Sequence, residues 1–159
     1  MSVGAGIEPA TPEYIARAWA EHWRGEPLIS GRREYVLADV EGLAWRADDG
    51  ELAGLVTWCV DGEDAEIVSI HAEAPGSHVG GRLLDAAEAE LRSRGVHTAF
   101  VTTTNDNLRA LAFYVRRGYR LVRLHLGAVD RVRRAKPGVP ALGADGIPLR
   151  DMLELEKPL

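Results

Sequence analysis

The stretch Asn107-Leu108-Arg109-Ala110-Leu111-Ala112-Phe113-Tyr114-Val115-Arg116-Arg117-Gly118-Tyr119 reads as a short helix, a glycine stop and the start of a strand. Asn107 stands where a helix begins. Ala110, Phe113 and Tyr114 recur at helical spacing on one side, as an amphipathic helix requires. Gly118 supplies the left-handed residue that ends the helix, and Tyr119 opens the next apolar run. By itself the pattern also fits an ordinary amphipathic helix with a core tyrosine, so the sequence around it decides its meaning.

Upstream, across one intervening strand, lies Pro75-Gly76-Ser77-His78-Val79-Gly80-Gly81-Arg82. This glycine-rich loop sits between a strand and a helix. Backbone amides at such a junction point outward unpaired, and the helix dipole adds partial positive charge. A pyrophosphate fits there only where neighbouring side chains are small.

Together these segments resemble two motifs of the GNAT superfamily, the acyl-CoA-dependent N-acyltransferases. The run N-x-x-A-x-x-x-Y-x-x-x-G-[FY] from Asn107 to Tyr119 resembles motif B. In that family the tyrosine corresponding to Tyr114 lies beside the thioester sulfur and can protonate the leaving thiolate. The loop resembles motif A, [RQ]-x-x-G-x-[GA], which cradles the pyrophosphate of coenzyme A. Gly80 matches and Gly81 follows, but Pro75 replaces the usual Arg or Gln and His78 replaces the first glycine. If the loop needs positive φ at position 78, histidine costs about 1 kcal/mol more than glycine there. The ring then crowds the phosphates, donates to them when protonated, or points to solvent.

The remaining elements follow from local signals. Ile7 to Ala10 reads as a strand. Thr11-Pro12-Glu13 starts a helix with a hydroxyl cap and proline at the first position, running to about Arg24. A second helix is expected between Gly31 and Ala38. Strands at Leu43–Arg46 and Glu51–Val60 flank the turn Asp48-Asp49-Gly50. A further strand spans Ala65–Ala72, and a helix spans about Arg82–Arg94. Strands follow at Thr98–Thr103, Tyr119–Leu126 and Met152–Glu156. The order β-α-α-β-β-β-α-β-α-β-β predicts a mixed α/β sheet flanked by helices. It is also the order of the GNAT fold, and the resemblance covers about Ile7 to Leu126.

The resemblance implies a splay between the strands Ala65–Ala72 and Thr98–Thr103. There the pantetheine arm would pair with backbone near Ile70, His71 and Ala72 like an added strand. The phosphates would lie on His78, Val79, Gly80, Gly81 and Arg82. Asn107 either touches the pantetheine or caps its helix. Acyl transfer to an amine also needs a base. Glu66, at the start of the strand leading into the loop, is the candidate, with a solvated strand-end carboxylate as the plainer reading. His71 is the alternative base. Five positions separate the two, so alternation predicts opposite faces for them. Trp19, His22 and Trp23 on the first helix line an acceptor pocket or form a packed face. The Pro/Gly-rich, basic segment Asp130–Arg150, with Arg131, Arg133, Arg134 and Lys136, is long enough to suggest function. It resembles a tail of one group of bacterial GNATs and contacts an anionic group or forms a solvated helix face.

Composition narrows the class. The 159 residues suit one domain with a substantial core, and 46% hydrophobic and 27% charged residues suit a globular chain. A net charge of -5 argues against a general nucleic-acid binder. The single cysteine, Cys59, permits neither an internal disulfide nor a multi-cysteine metal site, and no metal cofactor is expected. Neither a signal peptide nor an apolar run of transmembrane length is evident, so a cytoplasmic enzyme without nucleic-acid or membrane partners is expected, as a monomer or homodimer. The expected function is acetyl transfer from acetyl-CoA to a primary amine of a small molecule or peptide. The rival, prompted by Pro75 and His78, is a catalytically weak acyl-CoA-binding sensor or interaction module.

Overall fold

The computed structural model describes residues 6–73 and 78–159. In chain order the elements are β1 (Ile7–Pro9), α1 (Pro12–Trp23), β2 (Leu28–Ile29), β3 (Glu34–Tyr35), β4 (Glu41–Arg46), β5 (Leu52–Asp61), β6 (Asp64–Ala72) and α2 (Val79–Ser93). After them come β7 (Thr98–Thr104), α3 (Leu108–Arg116), β8 (Arg120–His125), α4 (Ala128–Ala135) and β9 (Met152–Pro158). Seven strands form one mixed sheet in the order β1-β4-β5-β6-β7-β9-β8, and β2 pairs with β3 in a separate ribbon. Within the sheet β6 and β7 run parallel, and the other neighbouring pairs are antiparallel.

The helices cover the two faces differently. Leu83, Leu84, Ala87 and Leu91 of α2 pack on Val56, Trp58, Ile67 and Val101, with Tyr114 of α3 in the same cluster. On the opposite face, Tyr14, Ile15, Ala18 and Trp19 of α1 pack with Leu28, Tyr35, Ala44 and Leu55. The α1 cap is the one the sequence predicts: the Thr11 hydroxyl accepts from the Tyr14 amide at 3.1 Å, and Pro12 opens the helix.

Two irregularities in β6 shape the centre of the molecule. Along β5, Thr57 pairs with Ser69 but Trp58 pairs with Ile67, so Val68 is an extra, bulged residue. The parallel ladder between β6 and β7 ends at Ile67 and Val101. Beyond that point β6 stays paired to β5 as far as Ala72, and β7 stays paired to β9 as far as Thr104. The two strands therefore part, and a gap opens in the middle of the sheet.

Several expectations change. The helix expected between Gly31 and Ala38 is instead the β2–β3 ribbon followed by a 3-10 turn at Leu37–Asp39. The Ser30 hydroxyl accepts from the Arg32 and Arg33 amides at 3.0 and 3.2 Å, which folds the chain back into a tight turn. Helix α2 begins at Val79 rather than Arg82. The segment after β8 contains the short helix α4, and β9 extends to Pro158.

Candidate active site

The gap between β6 and β7 holds a cavity of about 420 Å³. Its wall includes Tyr114, Ala110 and Asn107 from the α2–α3 side. It also includes His22, Trp23, Ser30, Tyr35 and Glu66 from the α1 side. The cavity thus touches both faces of the sheet. Parting two strands is what allows this, because an intact ladder closes a sheet to side chains and ligands alike.

Tyr114 is 5% exposed, and burial alone pushes its phenol above the ordinary range. A phenol so placed stays protonated at neutral pH, as a proton donor must. Its ring is fixed by edge-on contacts with Phe113 and Tyr119 at 5.2 and 5.6 Å between centroids. Asn107 caps α3, its side-chain oxygen accepting from the Ala110 amide at 3.0 Å, and it also lines the cavity. Of the two roles open for Asn107, capping is the one the structure displays.

Glu66 is 5% exposed rather than solvated. Its carboxylate accepts from the Tyr35 hydroxyl at 2.8 Å and the Ser30 hydroxyl at 3.2 Å. Burial raises its pKa, and these two bonds and the Arg32 charge offset only part of that rise. Beside it, Glu154 is held by Arg32 through bonds of 3.2 and 3.3 Å and by His125 at 3.0 Å. Those partners keep Glu154 below the ordinary carboxylate range despite burial. The Arg32 guanidinium also lies 3.6 Å from the Phe100 ring centroid.

His71 corrects the alternation argument. The Val68 bulge adds one residue to β6, so Glu66 and His71 lie on the same face, toward α1. The His71 ring sits 3.8 Å from that of His22, and burial, with a smaller contribution from His22, lowers its pKa to about 4. Ile70 points the other way into the α2 core. Backbone from Ile70 to Ala72 pairs with β5 on one edge and faces the gap on the other.

Of the residues expected to meet the phosphates, Pro75 lies outside the described residues. His78 does have the positive φ, 65°, that the glycine of the motif would supply. No acidic residue occupies the first turn of α2, so nothing there repels an anion. Gly80 is open, whereas a Cβ on Gly81 would overlap the Arg117 guanidinium. Arg117, bonded to Asp85 at 2.8 Å, therefore lies against the first turn of α2. Arg82 stacks 5.0 Å from the Trp45 ring centroid nearby. Arg117 escaped the sequence reading, since its place beside Gly81 follows from how α3 packs on α2.

The first-helix aromatics divide. Trp19 is fully buried and its indole donates to Ser69 at 3.0 Å, so it is core. His22 and Trp23 line the cavity. The basic segment mostly serves architecture. Lys136 donates to the Trp23 and Gly25 carbonyls at 2.5 and 2.6 Å. Arg131 donates to the Ser30 carbonyl at 2.9 Å, and Arg133 to the Leu149 carbonyl at 2.6 Å. Cys59 is half-buried and its thiol is pushed up by burial, which fits an inert residue.

The central parallel pair thus parts beside a helix whose first turn holds Gly80 and Gly81, with a buried phenol in the opening. Residues 9–119 match the acetyltransferase (GNAT) family, and the chain belongs to that family. It is 35% identical to YxbD, an uncharacterized protein of Bacillus subtilis (strain 168), over 92% of both chains. An IAA acetyltransferase from Bacillus cereus ATCC 14579 shares the fold with a TM-score of 0.77 and 20% identity, over 96% of this chain and 98% of that one. A GNAT family acetyltransferase from Elizabethkingia anophelis, solved with acetyl-CoA bound, gives 0.73 and 20% over 96% and 97%. No helix among the described residues is long and apolar enough to cross a membrane.

Proposed function

We propose that the chain transfers an acetyl group directly from acetyl-CoA to a primary amine, with Tyr114 as general acid and Glu66 as general base. The observation that carries this reading is the cavity through the parted strands, with Tyr114 on one side of the sheet and Glu66 on the other. Acetyl-CoA enters from the α2–α3 side. Its pyrophosphate rests at the start of α2, on the Gly80 and Gly81 amides at the positive end of the helix dipole, with the Arg117 and Arg82 side chains alongside; the Arg82 amide is not a donor there, since it bonds the His78 carbonyl at 3.0 Å. Its pantetheine arm adds to the open edge of β6 at Ile70–Ala72.

The amine enters from the α1 side, past His22 and Trp23. Glu66 removes its proton, directly or through water; a raised pKa makes the carboxylate a stronger base than an exposed one. Nitrogen attacks the thioester carbon, the tetrahedral adduct collapses, and the C–S bond breaks. Tyr114 gives its proton to the departing sulfur. The products are the acetylated amine and free CoA.

The test is to incubate the protein with acetyl-CoA and a panel of amines while following thiol release. Amine-dependent release supports transfer. CoA binding without release on any amine would favour the sensor reading instead.

A further inference from the structure

His22 does no more than flank the amine's route and Glu73 has no part in the proposed transfer, yet both sit against His71 on the α1 side. The chain explains the convergence. The Glu73 amide donates to the Ala53 carbonyl at 3.0 Å, so the ladder with β5 continues one residue past β6. His71 and Glu73, two apart on extended chain, therefore project to one face. The Val68 bulge makes that face the one covered by α1. The last turn of α1 then lays His22 over His71, with ring centroids 3.8 Å apart and planes tilted by 39°. Trp23 stands edge-on to both imidazoles at 5.8 and 6.4 Å.

Candidate donor atoms of His22, His71 and Glu73 all lie within 4.8 Å of one another. Around a tetrahedral ion with Zn–N bonds of about 2.0–2.1 Å, donors stand roughly 3.3 Å apart. His22 and Glu73 are exposed and free to rotate their side chains toward a common ion, with half-buried His71 as the fixed point. Among the described residues the one competing ion pair is weak: His22 Nε2 lies 3.9 Å from a Glu21 carboxylate oxygen, and neither side chain is buried.

We infer that His22, His71 and Glu73 form a three-ligand site for a divalent transition-metal ion. Two imidazoles and one carboxylate suit Zn²⁺, and three protein ligands leave a coordination position open. Because His22 also lines the cavity, a bound ion ties the end of α1 to the end of β6 beside the acceptor's route.

The experiment is calorimetric titration of the metal-stripped protein with ZnCl₂, paired with thermal melts. The expected result is one equivalent bound with micromolar affinity and a higher Tm in Zn²⁺. His22→Ala, His71→Ala and Glu73→Gln should each weaken binding roughly tenfold or more and abolish the Tm rise. His97→Ala, which alters an exposed histidine paired with Glu63, should leave both unchanged. If His71→Ala fails to fold, the variants at exposed His22 and Glu73 carry the test. No binding at about 100 μM Zn²⁺, which saturates a micromolar site, would overturn the inference. So would unchanged affinity in the folded variants.

Discussion

The two faces of the sheet are built by different means. The α2–α3 face is held largely by apolar packing around a buried polar cluster, Glu88 with Tyr119 and Lys157, and its candidate site residues are Asn107 and Tyr114 of the α3 segment and the turn after His78. The α1 face is held to a greater extent by polar bonds between residues far apart in the chain. Arg32 reaches Glu154, Arg131 reaches the Ser30 carbonyl, and Lys136 reaches the Trp23 carbonyl, at separations of 122, 101 and 113 residues. On the proposed reading, a cofactor common to many enzymes is met by local, repeatable motifs. The half proposed to meet the acceptor depends on long-range contacts particular to this chain.

Substitutions on each face can break or sharpen this contrast. The largest effect is expected at Tyr114. Tyr114→Phe keeps the ring and removes the donor, so turnover should fall about 10²- to 10⁴-fold. CoA affinity and Tm should hold nearly constant. Steady-state kinetics beside calorimetric CoA titration measures both, and wild-type turnover would make Tyr114 a core residue only.

Glu66→Gln comes next, with an expected loss of roughly 10²-fold in kcat/KM. Gln can still accept from Tyr35 and Ser30, so the fold should survive. The pH dependence carries a sign. A base must be ionised, so activity should rise with pH through a limb above the ordinary carboxylate range, and the limb should vanish in the variant. Stability should run the other way. The raised folded-state pKa means the native state holds the proton more tightly, so stability falls as pH rises through that value. A limb near pH 4 that survives in Glu66→Gln would point to His71.

Lys136→Met probes the long-range bonds of the α1 face. It removes the single ammonium that donates to the Trp23 and Gly25 carbonyls at and just beyond the end of α1, and an expected loss of about 2 kcal/mol follows. Urea denaturation measures it; an unchanged midpoint would mean that the Arg131 and Arg133 bonds and the packing around Ala128 and Val129 hold α4 without Lys136. The smallest effect is expected at His78→Gly, which relieves a left-handed histidine and should stabilise by about 1 kcal/mol. A drop in Tm would show that the imidazole makes a stabilising contact of its own.

Legibility followed the same division. Asn107, Tyr114 and Gly118 were readable because cap, apolar stripe and left-handed stop are all local signals, and Gly118 has its expected positive φ of 93°. The splay was readable only through the family resemblance. The β2–β3 ribbon was not readable, because its turn is made by the Ser30 side chain and its anchor, Glu66, lies 36 residues away from Ser30. The facing of His71 was misread because one bulged residue reverses every side chain after it, and nothing in Ile67-Val68-Ser69 announces the insertion. The cluster His22, His71 and Glu73 was hidden for the same reason.

The central claim is that the cofactor enters the parted strands from the α2–α3 side and brings its sulfur to Tyr114. A crystal structure of the protein with CoA tests it most directly. The account predicts the sulfur within hydrogen-bond reach of the Tyr114 hydroxyl and the pyrophosphate at the start of α2, on the Gly80 and Gly81 amides. A CoA whose thiol end lies away from Tyr114, or which occupies the α1 side, would contradict it.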